Sequence, residues 1–186
     1  MKLHPIQDKE LNDFTIDFTY EFSEATKDPY FLSYAQGKTK WGNDLLIGQK
    51  HGIVNTVRFY EPKGSFAGIP LDIGTTERVT ITRINSEVSL YSNGKIITKK
   101  NIATPIEAGG SWVLGQDQDD GWRKSVEKTF DKNQRFIGKI CNFQIWDYGM
   151  NQDSLKKLFL KDGSLNAGNV FDSPSSYAFE LKNGAL

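Results

Sequence analysis

The chain has 186 residues, with 23 Lys and Arg balanced by 23 Asp and Glu. That length fits one domain, residues 1–186, whose folding buries roughly 70% of the unfolded chain's surface. The zero net charge offers no basic face for nucleic acid, no apolar run is long enough to span a bilayer, and Met1-Lys2-Leu3-His4-Pro5 begins no signal peptide.

In chain order, Phe14, Ile16, Phe18, Tyr20 and Phe22 alternate with Thr15, Asp17, Thr19 and Glu21, the period of a half-buried strand. Tyr30 to Tyr34 reads as a second strand and Leu45-Leu46-Ile47 opens a third, with the Lys- and Gly-rich loop from Gly37 to Asn43 between them. Ile53 to Tyr60 is another, and Leu71-Asp72-Ile73 a further candidate. Arg78 to Arg83 and Val88 to Tyr91 read as a pair, and Ser92-Asn93-Gly94-Lys95 carries the Asn-Gly hairpin signal into Ile96-Ile97. Trp112 to Leu114 and Ile137 to Trp146 are later strands, the second with Cys141, Phe143 and Ile145 alternating with Asn142, Gln144 and Trp146. Trp112 and Trp146 are expected in the core, and Cys141 as a buried small residue, since nothing nearby in sequence would lower its pKa. A single segment reads as a helix: Asn151 caps it, Asp153 sits in its first turn, Leu155, Leu158 and Phe159 form a stripe, and Gly163 ends it. Tyr177 to Leu181 closes the chain as a strand. Many short strands with one short helix predict an all-β, antiparallel sandwich.

The stretch that carries chemistry runs from Gly109 to Trp146 as strand, long acidic loop, strand. Asp117 and Asp119 lie two apart at one end of the loop, and Asp131 and Gln134 three apart at the other. Each pair can aim two oxygens one way, and folding the loop back unites the pairs, as a hard cation such as Ca²⁺ demands. The alternative is an acidic loop that is simply solvated. An EF-hand does not fit, because Gly121 stands where the fifth-position ligand belongs and Lys128 where the closing Glu belongs. Zinc lacks ligand-spaced His or Cys. Trp122 is placed either to stack on a sugar ring or to anchor the loop, and Arg123 and Lys124 either to meet an anionic ligand or to offset nearby carboxylates.

Several segments resemble the pentraxin family: Val113-Leu114-Gly115-Gln116-Asp117-Gln118-Asp119, Phe130-Asp131-Lys132-Asn133-Gln134, Phe136-Ile137-Gly138, and Ile145-Trp146-Asp147-Tyr148 with the helix after it. Upstream, Phe31-Leu32-Ser33-Tyr34-Ala35 and Asn43-Asp44-Leu45-Leu46-Ile47 resemble a second family segment. The resemblance implies a lectin-like, concanavalin A-like jelly roll, secretion, a cyclic homo-oligomer, and two Ca²⁺ per subunit that take phosphorylated, anionic or sugar ligands. It implies metal ligation by Asp117, the main-chain carbonyl of Gln118, Asp119, Asp131, Gln134 and, from the earlier loop, Asn43. Asp117 and Asp131 stand where the family has Glu. Gly42 stands where it has an Asp, with Asp44 a nearby substitute. Asp17 and a residue near Thr80 stand at the family's internal disulfide. Gly48 stands where an apolar side chain shelters a choline methyl group. No counterpart of the family's opening strand precedes Met1.

Three function classes remain. One is a calcium-dependent lectin-like module for a glycan or phosphoester. The second is a glycoside hydrolase of the same architecture, for which Asp117 and Asp119 would have to serve as the carboxylate pair, although the strand-borne Glu-x-Asp-x-x-Glu pattern is absent. The third is a metal-free laminin-G-like interaction domain.

Overall fold

A computed structural model describes residues 2–3, 8–24, 26–35, 44–50, 53–59, 64–67, 75–118, 131–160, 171–172 and 178–181. In chain order the elements are β1 (Lys2–Leu3), β2 (Phe14–Glu24), β3 (Tyr30–Ala35), β4 (Leu45–Lys50), β5 (Ile53–Phe59), β6 (Gly64–Ala67), β7 (Thr76–Ile84), β8 (Glu87–Ser92), β9 (Lys95–Asn101), β10 (Ser111–Leu114), β11 (Ile137–Trp146), α1 (Gln152–Leu160), β12 (Phe171–Asp172) and β13 (Ala178–Leu181). They form two antiparallel sheets, β1-β10-β3-β4-β5-β6 and β12-β11-β2-β7-β8-β9, with β13 also on β11. This is the all-β jelly-roll sandwich with one short helix. The short strands β1, β6 and β12 were not legible in the sequence. The candidate strand at Leu71 to Ile73, the loop from Gly37 to Asn43, Gly163 and Tyr177 lie outside the described residues.

The sheets close on aromatic rings. Phe14, Ile16, Phe18, Tyr20 and Phe22 of β2 all point into the core, as their alternation predicts. The Tyr20 ring lies 4.4 Å from Phe31 of β3, and Phe31 lies 4.7 Å from Phe136, so rings of both sheets meet at the centre. Each such side chain stabilises the fold by about 1.5–3 kcal/mol through burial alone.

The outer face of β2 departs from simple alternation, because α1 and the segment leading into it cover part of it. Thr15 is fully buried; its hydroxyl donates to the Tyr148 carbonyl at 3.0 Å and accepts from the Met150 amide at 2.9 Å. Asp17 is 1% exposed and sits directly opposite Thr80 in the β2–β7 register. Thr80 donates its hydroxyl to Asp17 Oδ1 at 2.6 Å, and Arg78 donates Nε and Nη2 to the same carboxylate, at 2.8 Å for the shortest contact. The Arg78 guanidinium also lies 5.5 Å over the Phe159 ring, tying α1 to the sheet. Thus at the pair of positions where the resemblance puts a disulfide, an ionic clamp joins the strands.

Strand β11 corrects two expectations. A bulge between Cys141 and Gln144, with Asn142 at φ 52°, interrupts the alternation. Beyond it Phe143 and Ile145 enter the main core, while Trp146 packs with Met150, Leu155 and Leu158 in a second cluster under α1. Both Trp112 and Trp146 are core residues, as expected. Cys141, however, is partly exposed rather than buried, because the bulge falls at its position; partial burial still pushes its thiol pKa up, opposed by Lys139 and reinforced by Glu21. The helix begins as predicted: Asn151 Oδ1 accepts from the Ser154 amide at 2.9 Å.

The Asn93-Gly94 turn has φ 46° and 77°, as its sequence signals. A second turn of this kind, Asn85-Ser86, carries a non-Gly residue at φ 70° and was not anticipated; the Asp13 carboxylate accepts from the Asn85 amide at 2.9 Å and holds it. The last strand on that side, β9, is exposed along nearly its whole length, with Ile96 50% and Ile97 45% exposed between Lys95 and the Lys99-Lys100 pair.

Candidate metal centre

Strand β10 pairs with β3, Val113 facing Ser33 and Leu114 facing Leu32. Past Leu114 the chain must leave the sheet, and Gly115 makes the bend at φ 80°, a left-handed conformation that suits glycine. The Gly115 amide donates to the Phe31 carbonyl at 2.7 Å, and its own carbonyl accepts from the Phe136 amide at 2.9 Å. The start of the acidic loop is therefore held between β3 and the segment where the loop returns.

A buried polar group sits at this junction. Ser33, fully buried in the otherwise apolar β3, donates to the Gln116 carbonyl at 2.7 Å. Gln118 donates its side-chain Nε2 to Ser33 Oγ at 3.0 Å and to the Ser111 carbonyl at 3.1 Å. Asp117, 2% exposed, accepts the Gln118 amide on Oδ1 at 2.6 Å. The Gln118 side chain is thus turned inward toward β3 and β10.

The far end of the loop is a compact turn. Asp131 Oδ1 accepts from the Asn133 amide at 2.8 Å, and its carbonyl accepts from the Gln134 amide at 2.9 Å. This turn is strapped to the segment before β3: Asp28 and Tyr30 donate their amides to the carbonyls of Asn133 and Gln134, at 2.9 and 3.1 Å, and Thr26 donates its hydroxyl to the Arg135 carbonyl at 2.7 Å. Asp131 is exposed and Gln134 half-buried. Gln116, 1% exposed, donates Nε2 to the Asp131 carbonyl at 2.9 Å and so joins the two ends of the loop directly.

Of the sequence-predicted ligands, Asp117 and Gln118 lie at the start of the loop and Asp131 and Gln134 at its return, and the Gln116–Asp131 and Phe136–Gly115 hydrogen bonds join these two ends. Asn43, Asp119, Trp122, Arg123 and Lys124 lie outside the described residues. Among the described residues no three His, Cys, Asp or Glu side chains cluster as a complete metal site. The residues at the two ends offer carboxylate, amide and main-chain oxygens with no sulfur or imidazole among them, a set that fits a hard divalent cation such as Ca²⁺ and not zinc. Ser33 and Gln116 were not singled out from the sequence. A lone serine in the aromatic and aliphatic run Tyr30-Phe31-Leu32-Ser33-Tyr34 was a usable signal for the first; Gln116 offered none.

The surroundings set what can approach. Asp44 is buried, and its amide donates to the Tyr34 carbonyl at 2.8 Å. Burial pushes the Tyr34 phenol up to about 12, with the Asp44 and Glu107 charges adding to it against a hydrogen bond from the Gly110 amide, so Tyr34 stays neutral. At Gly48, a Cβ would lie 2.4 Å from Tyr30 Cδ1 and 2.6 Å from the Pro29 carbonyl oxygen. The space a side chain would need there is filled by the same Tyr30 whose amide holds Gln134.

A family model described as the Pentaxin family matches residues 1–185. A C-reactive protein of Danio rerio is 40% identical over 67 residues, 36% of this chain and 28% of that protein. A C-reactive protein of Xenopus laevis is 25% identical over 188 residues, 98% of this chain and 75% of that protein. Of the first three curated relatives that it matches, the chain spans 28%, 18% and 36%. A solved heptameric SAP-like pentraxin from Limulus polyphemus has the same fold, with a TM-score of 0.69 at 16% identity over 96% of this chain and 83% of that one.

Proposed function

Because the chain belongs to the pentraxin family, we propose that it is a calcium-dependent, lectin-like binding protein rather than an enzyme. Ca²⁺ would be held by Asp117, the Gln118 carbonyl, Asp119, Asp131 and Gln134, with Asn43 from the earlier loop, and would take up a phosphate, carboxylate or sugar hydroxyl of the ligand. The observation that supports this reading is the joining of the loop ends: Gln116, next to Asp117 in the chain, donates to the Asp131 carbonyl at 2.9 Å. A hydrolase would need a carboxylate pair flanking a scissile bond. The strand-borne Glu-x-Asp-x-x-Glu pattern that usually supplies such a pair is absent from the sequence.

Ligand preference follows from Gly48. A quaternary ammonium headgroup needs an apolar or aromatic wall, and the position that would supply one is closed by Tyr30 and Pro29. Phosphate- or carboxylate-bearing glycans are therefore favoured over phosphocholine, with Trp122, Arg123 and Lys124 as the candidate side chains beside the ions. Assembly into a closed ring is supported by the heptameric Limulus structure, which shares the fold. Secretion is the setting that suits a millimolar-calcium ligand site.

The test is a glycan and phosphoester array with calcium and with chelator, together with calorimetric titration of Ca²⁺ into the wild type and Asp131→Ala. Calcium binding that Asp131→Ala loses, with glycan capture reversed by chelator, is the expected result. Bound ligand that survives chelator, or turnover of an oligosaccharide, would overturn it.

A further inference from the structure

We propose that Gln116 is a positioning residue for the cation: without touching it, Gln116 fixes the distance between the two ends of the loop and so sets the calcium affinity. The inference rests on the calcium reading above. A cation shared by ligands on both ends needs oxygens held about 2.3–2.6 Å from one point. Asp117 and Asp131 are fourteen positions apart along the chain, and the segment between them is the loop itself.

Several other bonds order the turn at Asp131, but none of them comes from the start of the loop. The Asn133 amide on Asp131 Oδ1 and the Gln134 amide on the Asp131 carbonyl close the turn on itself. The donors from Thr26, Asp28 and Tyr30 fall on Asn133, Gln134 and Arg135, the downstream side. The Gln116 amide falls on the carbonyl of Asp131 itself and comes from the other end of the loop. Gln116 can act as a strut because its own backbone is immobilised: Ser33 holds its carbonyl, Gly115 before it is bonded on both sides, and its side chain is 1% exposed. Its neighbour in sequence is Asp117. One side chain therefore spans from the residue beside one carboxylate to the main chain of the other.

The chemistry explains why an amide is present. A carboxylate at this position could not donate to the Asp131 carbonyl and would face it with like polarity. An apolar side chain would leave Asp131 joined to the start of the loop only indirectly, through the Phe136–Gly115 bond and the strap to β3, and the ordering of Asp131 left to the ion is subtracted from affinity. Partners of this indirect kind change metal affinity by about tenfold to a hundredfold.

The experiment compares wild type, Gln116→Met and Gln116→Asn. Met keeps the length but has no donor; Asn keeps the donor but falls one methylene short. Three quantities are read: Kd for calcium by calorimetry, melting in chelator, and hydrogen exchange of the 131–134 amides in chelator. The expected result is at least tenfold weaker calcium binding in both variants, faster exchange at 131–134, and chelator melting close to wild type. If Gln116→Met does not fold, Gln116→Asn decides. Wild-type calcium affinity in a folded variant overturns the positioning role while leaving the calcium reading intact. A calcium loss that tracks a lowered chelator melt makes Gln116 merely structural and also overturns it. A wild type that binds no calcium removes the calcium reading and this inference with it.

Discussion

Two buried polar networks flank the same aromatic core, and they end on different kinds of group. Around Asp17 the partners are side chains: Arg78 and Thr80, both on β7, close on one carboxylate. Around Ser33 the network ends largely on main chain, at the carbonyls of Gln116, Ser111 and Asp131. A network that closes on side chains can hold two strands together and do little else. One that closes on main-chain oxygens dictates the path of a segment beyond the end of the sheet, where side chains can be presented to a ligand. The first sits where the family resemblance implies a covalent bridge, and it does that joining without sulfur; the second lies where the calcium ligands are proposed.

If the distinction is sound, breaking the clamp should cost the fold and spare the site. Asp17→Ala leaves Arg78 facing an emptied buried position, and the expected loss is about 3 kcal/mol, at the low end for a severed buried pair because Arg78 keeps some access to water. Urea unfolding measures it, alongside an unchanged calcium Kd. A stability loss of under a few tenths, or a calcium affinity that falls in step, would erase the contrast.

A smaller effect, touching both properties, is expected at Gly48→Ala. The added methyl must displace Tyr30 Cδ1 and the Pro29 carbonyl, and overpacking of this kind costs about 1–3 kcal/mol. Because the Tyr30 amide holds Gln134, calcium should bind more weakly as well. A variant that melts with the wild type would show that Tyr30 has room to move.

The smallest effect sharpens the comparison by pH. Burial raises the Asp17 carboxyl above its ordinary 3.8, opposed by the Arg78 and Thr80 contacts. Between 3.8 and that raised value the folded chain holds a proton that the unfolded chain has released. The group's contribution is therefore fully present below 3.8 and is lost as pH rises through the folded value. Asp17→Asn removes this dependence. The stability of wild type relative to Asp17→Asn should rise on acidification, measured by urea midpoints at neutral and acid pH; a relative fall would contradict the direction.

Much of the architecture was legible because periodicity reports burial. The alternation in β2 named five core residues, and the Asn93-Gly94 pair named its hairpin. The places where reading failed have two causes, a third layer and a bulge. Thr15 and Asp17 look like solvent-facing residues until α1 and its approach cover that face. The bulge at Asn142 shifted Cys141 toward solvent, and nothing in a run of alternating residues marks where a bulge falls. Of the candidate site, the proposed ligands were visible as oxygen-bearing residue types paired at each end of one loop. The struts were not, since Gln116 acts by what its amide reaches across the fold, which sequence spacing does not encode.

The lysines of β9 have a further consequence. An outermost strand whose main-chain groups face water invites another molecule to add a strand to it, and Ile96 and Ile97, half-exposed, would make such an addition sticky. Lys95, Lys99 and Lys100 lie on the same seven-residue strand, with Lys99 in an ion pair with Glu87 at 2.6 Å. Two molecules meeting rim to rim would bring these charges into opposition, so runaway stacking of sandwiches is discouraged there.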